Sequence, residues 1–577
     1  MPLDKGKIQS SEIASSLTVI LLNVLCLCVF ALVLLITFHD RSWMHNALTY
    51  SSYYVILALS AAWAVSLVSL YRHKQSSAGL FIRRHWKGIL ASFLLTTVVF
   101  VSVPKYFRVL SDETNLLSVA KSMTYYKTVE NITEGRWYYE MFWPTPTTGT
   151  EKRPFLFPFF TSIIHTLLGY HVENVFVLNY FALWAMLFLL YIAIQSSLGS
   201  LWAISGLILV AAQPVIALSA TSGSFEIFNF LFIIASFLAL RGFLNDFSHK
   251  SLMALVMTLI MLANVRYESA LFLVIVMIVL AVAGYLKSKF FTQSFVYALT
   301  PFLLLPLIWQ RVLLSSETDP NLVGGSWIKA FGFANFQTNI VLFFKYILAP
   351  DGQLGYAGGV NIFGILALVL IFFRVKNKGI LLICSVVSLV VLFLIVIFYQ
   401  GGINDHPLNG RFYIPILVVF SVAPVYFLAN LFKDKQKSAY IGLVCALAAF
   451  AFYHPVAVED KLTNNLMIIR EYRYVDAFLK KNADKNTLVI CGRPGQLIVS
   501  NYGAISYGTA NNQADLILEQ FKNHLYSKIY AVQSIAYTNK SPLKDNIIDP
   551  RYQLETVDEL QVTGVYFFRI SRVKALE

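Results

Sequence analysis

Long apolar runs, separated by short polar and basic segments, dominate the chain. Two examples are SLTVILLNVLCLCVFALVLLITF at residues 16–38 and GILLICSVVSLVVLFLIVIFY at residues 379–399. Each is long enough to cross a hydrocarbon core of about 30 Å as a helix, which takes about 20 residues. A transmembrane β-barrel is excluded because its strands would alternate apolar and polar residues. The pattern therefore predicts an α-helical, multi-spanning membrane protein.

The apolar runs predict about 13 transmembrane helices. We place them near residues 16–38, 51–71, 88–104, 175–195, 201–220, 225–241, 251–265, 270–286, 295–313, 359–373, 379–399, 411–431 and 438–454. With a cytoplasmic N-terminus, the loops RGFLNDFSHK, KSKFF, RVKNKG and FKDKQK all fall inside, and all are basic, as the positive-inside rule requires. The run PFLFPFFTSIIHTLLGY at 154–170 would reverse this orientation if it crossed, so we predict an interfacial or re-entrant helix there.

The composition supports a membrane protein, and the positions of the basic residues explain its positive net charge. The chain has 577 residues, of which 57% are hydrophobic and 13% are charged, with a formal net charge of +14. Because the lysines and arginines lie in short loops between apolar runs, the charge acts as an orientation signal and predicts no nucleic-acid partner. Cys491 stands alone and the other cysteines lie in apolar runs, so neither a disulfide framework nor a CxxC metal site is predicted.

The sequence after the last predicted span has a different pattern. NNLMIIREYRYVDAFLKKN has helical spacing, whereas NTLVICG and GVYFFRIS are short runs typical of strands. We therefore predict three regions: an N-terminal transmembrane hairpin at 1–87, a membrane domain at 88–454 with an outer loop at 105–174, and a small C-terminal α/β domain outside the membrane at 455–577.

An acidic pair follows the third predicted span, in SDETNLLSVAKSM. Asp112 and Glu113 lie just past its outer end, and the leucines after them predict an amphipathic helix along the membrane. A purely structural interpretation is open, because Ser111 is a good N-cap and acids in a first turn complement the helix dipole.

Further charged residues lie at other predicted outer helix ends. They are Glu151, Lys152, Arg153, Glu226, Arg266, Glu268, Asp405, His406 and Arg411. Snorkelling to lipid headgroups could explain the cations, and Arg266 with Glu268 could be a structural pair. Together, however, acids and cations on one face predict a site for a phosphate-bearing substrate, in which cations hold phosphate and a carboxylate accepts a proton.

The order of these motifs resembles the C-type (GT-C) glycosyltransferases that use polyprenyl-phosphate sugars, including protein O-mannosyltransferases and lipid A aminoarabinose transferases. The resemblance spans roughly residues 88–430. It rests on the DE pair, the A-x-x-M that follows from Ala120 to Met123, and the EKRP segment before an apolar helix. One departure is that the first catalytic loop follows the third span, so residues 1–87 look like an added hairpin.

The resemblance implies roles for individual residues. Asp112 becomes the base or positioning group for the acceptor, with Glu113 beside it and Glu226 as a second acid. Lys152 matches the lysine of the family's KPP motif, which contacts donor phosphate, and KRP in its place leaves open a share for Arg153. Arg266 and Arg411 are carried over as phosphate contacts, and the remaining acids of the two motifs, Glu151 and Glu268, are assigned supporting roles.

The sequence thus predicts an inverting sugar transfer from a polyprenyl-phosphate donor to an acceptor hydroxyl on a protein, lipid or glycan. The reaction would take place at the extracytoplasmic face, with the periplasmic face of a bacterial inner membrane favoured. No histidine-rich site demands a metal, although a divalent ion could bridge Asp112 and phosphate. The alternative is a transporter or flippase of a lipid-linked or anionic substrate, whose path the same ions would line.

Overall fold

The computed structural model describes most of the chain. The residues it describes are 41–73, 78–145, 149–151, 153–269, 332–350, 355–374, 409–432, 435–561 and 565–574, with scattered positions between 21 and 35, between 272 and 282, and at 304. Several predicted spans, near 16–38, 270–286, 295–313 and 379–399, lie largely or wholly outside these residues. The predicted total of about 13 spans therefore stays a prediction.

The membrane part is a bundle of helices. They are α1 (Arg41–His73), α2 (Ala78–Ser102), α3 (Leu110–Tyr125), α4 (Leu156–Leu168), α5 (Asn174–Leu198), α6 (Ser200–Ala211), α7 (Pro214–Ala220), α8 (Glu226–Asp246), α9 (His249–Val265), α10 (Phe333–Ile347), α11 (Gly358–Arg374), α12 (Ile414–Leu431) and α13 (Lys435–Glu459). Short 3₁₀ turns at Tyr267–Ser269 and Asn409–Tyr413 connect to the bundle.

Six helices within the described ranges are long and apolar enough to cross a membrane. They are Trp43–Arg72, Gly79–Ser102, Asn174–Leu198, Glu226–Asp246, Gly410–Leu431 and Gln436–Glu459. The chain is therefore a multi-pass membrane protein. Helix α4, which the sequence predicted to lie at the interface or re-enter, is about 20 Å long at 13 residues, too short to cross the hydrocarbon core.

The span predicted at 201–220 corresponds to a bent pair of helices that together are long and apolar enough to count as one crossing. It is broken between α6 and α7, whose axes differ by 76°. Pro214 opens α7 and leaves Gln213 in an extended conformation, because a residue before proline is disfavoured in the helical region. The Gln213 side chain is buried and hydrogen-bonds Asn361, Ser421 and the backbone N–H of Ala357.

Glycine allows close contact between helices α11 and α12. Gly364 in α11 faces the backbone of α12, where a β-carbon would come within 2.2 Å of the Phe420 carbonyl oxygen. The absence of a side chain therefore lets these two helices pack backbone to backbone.

A mixed seven-stranded sheet packs at one end of the bundle. Its strand order is β3-β2-β6-β5-β7-β9-β8. The strands are β2 (Gly135–Tyr138), β3 (Met141–Pro144), β5 (Thr487–Ile490), β6 (Gly503–Ile505), β7 (Lys528–Ala536), β8 (Leu554–Gln561) and β9 (Tyr566–Val573). Only the pairs of β5 with β6 and with β7 are parallel among these strands. Helices accompany the sheet, among them α14 (Lys461–Asn464), α15 (Met467–Asn482) and α16 (Pro494–Ile498).

The sheet is not built from the C-terminal tail alone. The hairpin β2–β3 comes from the loop between α3 and α4 and pairs with β6 of the tail at Gly135 and Ala504. We call the sheet with its helices the α/β unit, and the end of the bundle that it covers the α/β end. The loop between α3 and α4 is thereby held on the α/β unit.

A buried lysine fastens α3 to the α/β unit. Lys121 is 1% exposed, and its ammonium donates to the carbonyl of Ile498 at 2.8 Å and to Oδ1 of Asn501 at 2.9 Å. The rings of Phe142 and Tyr170 lie over the same ammonium, at 4.2 and 5.2 Å. Burial lowers the pKa of Lys121 to about 7, since the charged form is poorly solvated there. Most residues of helix α3 are therefore buried against the bundle and the α/β unit, and its orientation along the membrane surface stays a prediction.

Candidate functional site

Asp112 is held between two arginines that come from distant parts of the chain. Arg153 donates from Nη2 to Oδ1 of Asp112, and Arg411 donates from Nη2 to Oδ2 at 2.6 Å. The two guanidiniums thus engage both oxygens of one carboxylate. Charge-assisted bonds of this kind are about twice as strong as bonds between neutral groups.

The two arginines extend this contact in both directions. On one side, Arg153 Nη1 donates to Glu151 Oε1 at 2.6 Å. On the other, Arg411 Nε lies 3.3 Å and Arg266 Nη1 lies 3.7 Å from the same oxygen of Glu226. Arg266 Nε also donates to Glu268 at 3.1 Å. We call the seven alternating residues the ion network: Glu151, Arg153, Asp112, Arg411, Glu226, Arg266 and Glu268.

Helix ends bring the ion network together. Asp112 lies in the first turn of α3 and Glu226 is the first residue of α8, positions where the helix dipole favours a carboxylate. Arg266 follows the last residue of α9, and Arg411 lies in the 3₁₀ turn before α12. All four residues therefore lie at the same end of the bundle.

A two-residue strand pair returns the loop after α3 to the start of that helix. Strand β1 (Glu130–Asn131) pairs with β4 (Gly149–Thr150), and Glu151 follows directly. The side chain of Asn131 donates to Glu151 at 3.4 Å. Because β1 and β4 pair at the base of the loop between α3 and α4, Arg153 can hydrogen-bond Asp112, although 41 positions separate the two residues.

The network is shielded but open to water at Asp112. The Glu226 side chain is 3% exposed and that of Asp112 is 20% exposed. Among the described residues, Nη1 of Arg411 and both oxygens of Glu226 have no hydrogen-bond partner although they are buried. Buried groups of this kind call for a partner, which in a site can be a ligand. The ring of Phe412 lies near both the Arg266 and the Arg411 guanidinium, at 4.8 and 5.1 Å.

Glu113 is adjacent in sequence to Asp112 but points elsewhere. Its carboxylate accepts from the backbone N–H groups of Arg108 at 3.0 Å and Val109 at 3.2 Å, so it caps the start of α3. The sequence had predicted Ser111 as the N-cap. That expectation is wrong, because the cap position is Val109 and no side chain of that residue can serve. Complete burial raises the pKa of Glu113 to about 7.

The burial of Glu113 predicts a dependence of stability on pH. A carboxyl group whose pKa rises from 4.5 to about 7 on folding stabilises the protein most below pH 4.5, and this stabilisation is lost as pH rises to 7. We expect Glu113→Gln to remove this pH-dependent decrease in the free energy of unfolding, which amounts to about 3 kcal/mol between the two pKa values. Thermal unfolding of both proteins at pH 4.5, 5.5 and 7 measures it. Parallel profiles for the two proteins would contradict the prediction.

Glycine at position 223 allows the start of α3 to approach α8. A β-carbon there would lie 2.8 Å from the Phe107 ring and 3.2 Å from Cβ of Glu113. The segment before α8 thus packs directly against the helix that carries Asp112.

The structure joins six of the predicted ionic residues to Asp112 in one continuous series of ion pairs. These are Glu151, Arg153, Glu226, Arg266, Glu268 and Arg411. Lys152, Asp405 and His406 lie outside the described residues. Within the described ranges no three His, Cys, Asp or Glu residues come together as a metal-ion group. Each acid of the network faces a guanidinium instead, and no step below depends on a metal.

Sequence reasoning missed a second buried ion pair beside the network. Arg108 donates from Nε to Asp460 at 2.9 Å, and its other nitrogens donate to the carbonyls of Leu218 and Pro104. Tyr106 also donates to Asp460. Each of the three guanidinium nitrogens thus donates a hydrogen bond, so this pair holds the segment before α3 against the bundle and the tail. Its only sequence signal is a pair of charges 352 positions apart.

Solved structures with similar folds include the following three. ArnT from Cupriavidus metallidurans, bound to undecaprenyl phosphate, is 12% identical with a TM-score of 0.48, over 87% of this chain and 99% of that chain. An Archaeoglobus fulgidus oligosaccharyltransferase tethered to an acceptor peptide is 10% identical with a TM-score of 0.43, over 79% and 70%. Arabinofuranosyltransferase AftD from Mycobacteria is 13% identical with a TM-score of 0.40, over 86% and 40%.

These neighbours are C-type glycosyltransferases, the class that the sequence motifs resemble. No protein-family model and no curated protein sequence matches the chain. With TM-scores under 0.5, the likenesses carry no argument about what this chain binds. The function proposed below rests on the geometry of the ion network.

Proposed function

We propose that the protein is a glycosyltransferase that moves a sugar from a polyprenyl-phosphate carrier to an acceptor hydroxyl, with inversion at the anomeric carbon. The observation that carries the proposal is the contact of Asp112 with Arg153 and Arg411. A carboxylate, which can accept a proton, and two guanidiniums, which can bind phosphate, lie together at one end of the bundle. These are the groups that such a transfer requires.

The arginines would bind the phosphate of the donor. Guanidiniums hold phosphate through two parallel hydrogen bonds, and the buried Nη1 of Arg411 has no partner among the described residues. A phosphate that takes over guanidinium contacts from Asp112 leaves the oxygens of that carboxylate available to the acceptor. We assign Lys152 a share in phosphate binding from its place in the EKRP motif.

The chemical step transfers one proton, forms one bond at the anomeric carbon and breaks another at the same carbon. Asp112 accepts the proton of the acceptor hydroxyl, whose oxygen attacks the anomeric carbon from the face opposite the phosphate. The bond between that carbon and the phosphate oxygen breaks, and its electron pair stays on the phosphate. The arginines stabilise this charge in a site with little water, where such electrostatic help is strongest. The lipid phosphate leaves as the second product.

The proposed orientation of the protein in the membrane rests on the positive charge of its loops. We place the α/β end outside the cytoplasm because the basic loops RGFLNDFSHK and FKDKQK lie at the other end of the helices that carry the network. The phosphoester of the donor supplies the driving force, so no nucleotide is needed there.

A donor assay tests the proposal. Purified protein is incubated with a panel of polyprenyl-phosphate sugars, a candidate acceptor mixture and no nucleotide. We expect release of free polyprenyl phosphate with one sugar of the panel, measured by thin-layer chromatography of the lipid phase. The matched control is Arg411→Lys, which keeps the charge but loses the planar fork, and we expect it to release far less. Equal release by both proteins would contradict phosphate binding at the network.

The alternative is a transporter or flippase, and one observation bears on it. The break between α6 and α7 is of the kind that transporters place at a substrate site. Here, however, Gln213 at the break hydrogen-bonds three neighbours within the protein, and the break is closed by packing. The ion network lies at helix ends and not along a path, which supports transfer over transport.

A further inference from the structure

A cleft of about 300 Å³ lies between the bundle and the α/β unit, outside the ion network. Its walls come from three segments: the residues after α2, the residues before and at the start of α5, and the tail between 472 and 502. The cleft is of the size of small-molecule sites, which start near 300 Å³. None of its lining residues belongs to the ion network.

The cleft lies beside the ends of two neighbouring helices that are long and apolar enough to cross a membrane. Helices α2 and α5 run antiparallel, since Phe100 packs on Tyr180 at 5.2 Å and Phe93 packs on Trp184 at 5.7 Å. The end of α2 and the start of α5 therefore lie side by side. Lys105, just after α2, lies on this boundary and lines the cleft.

Cations outnumber carboxylates in the cleft, where Lys105, Arg473 and Lys480 line the walls together with Glu173 and Asp476. Lys105 is exposed and its ammonium donates only to the Phe100 carbonyl, at 3.1 Å, among the hydrogen bonds of the described residues. Arg473 stacks 3.6 Å from the ring of Tyr106 and donates to Asn464 at 2.7 Å. Neither Lys105 nor Arg473 forms an ion pair with an acid of the described chain.

The remaining lining suits a headgroup above and a glycerol backbone below. Lys480 adds a third cation, paired with Asp476 at 2.8 Å. Phe107, Val172 and Phe176 form an apolar floor on the bundle side, and tyrosines and Ser500 lie on the side of the α/β unit. Cations above an apolar floor at the level of the interface are arranged as a phosphate-bearing lipid requires.

We propose that this cleft binds the phosphate headgroup of an anionic membrane phospholipid. The lipid would lie with its phosphate at Lys105, Arg473 and Lys480 and its glycerol on Phe176. It would fill the gap between the bundle and the α/β unit without entering the ion network. A membrane lipid is favoured over a soluble anion because the cleft opens at the level where the spans end.

Lipid retention tests this proposal on the full-length protein. The protein is purified in mild detergent, incubated with phosphatidylglycerol and measured by native mass spectrometry, with the wild type beside Lys105→Gln/Lys480→Gln. Near a membrane surface each lysine contributes about fivefold to the binding of an anionic lipid, so we expect about 25-fold weaker retention in the double variant. Lys485→Gln, an exposed lysine of the same unit outside the cleft, should retain lipid like the wild type.

Three outcomes would overturn the proposal. The first is equal retention by the double variant and Lys485→Gln. The second is equal binding of phosphatidylcholine, which would show that anionic charge is not recognised. The third is displacement of the lipid by inorganic phosphate at millimolar concentration, which would assign the site to a free anion. The assay needs no sugar donor, so its result is independent of the proposed transfer.

Discussion

Asp112→Asn is expected to abolish the proposed sugar transfer while the protein still folds and inserts. Asparagine has the same shape as aspartate and keeps one oxygen that can accept from an arginine, but it cannot take the proton of the acceptor. Loss of a positioned base lowers a rate by about 10²–10⁴-fold. The measurement is the initial rate of polyprenyl phosphate release at saturating donor, together with the thermal unfolding midpoint.

The chain offers a matched control for this change. Asp549 is paired with Arg551 at 2.8 Å, and its side chain is 22% exposed against 20% for Asp112. Asp549→Asn therefore removes a comparable carboxylate from an arginine far from the ion network, and we expect full activity. Wild-type activity in Asp112→Asn would refute its role as base, and an equal loss in both variants would indicate that ion pairing in general supports the fold.

The sequence predicted where the charged residues lie better than it predicted which of them form ion pairs with each other. Charge scarcity in the spans makes each acid or arginine at a helix end conspicuous, so Asp112, Glu226, Arg266 and Arg411 could be expected at one end of the bundle. Which carboxylate meets which guanidinium depends on loop closure by short strands such as β1 and β4, and no local pattern encodes that.

Two adjacent residues show most clearly what the sequence motif cannot predict. Asp112 and Glu113 are equivalent in the sequence motif, yet successive helix positions differ by about 100° in direction. One therefore meets two arginines and the other caps the backbone before the helix. The helix break at Gln213 did have a local signal in Pro214, which the apolar character of the run outweighed in the prediction of a span.

Removing Arg411 is expected to cost more stability than any other single change in the ion network. Glu226 is 3% exposed, and without Arg411 its only cationic neighbour among the described residues is Arg266 at 3.7 Å. Breaking a buried ion pair from one side costs about 3–5 kcal/mol, because a charge is left in a poorly solvating site. Arg411→Met should therefore lower the thermal unfolding midpoint strongly and also prevent transfer, and the single variant cannot separate the two effects.

A second substitution separates them. Arg411→Met/Glu226→Gln removes both members of the pair, so no carboxylate is left uncompensated at position 226, and we expect most of the lost stability to return. Transfer should not return, because the guanidinium that would hold the donor phosphate is still missing. The single variant Glu226→Gln, with Arg411 intact, shows how much activity the loss of that acid costs alone. Recovery of transfer together with stability in the double variant would mean that Arg411 serves only the fold, and the phosphate would then have to be bound elsewhere.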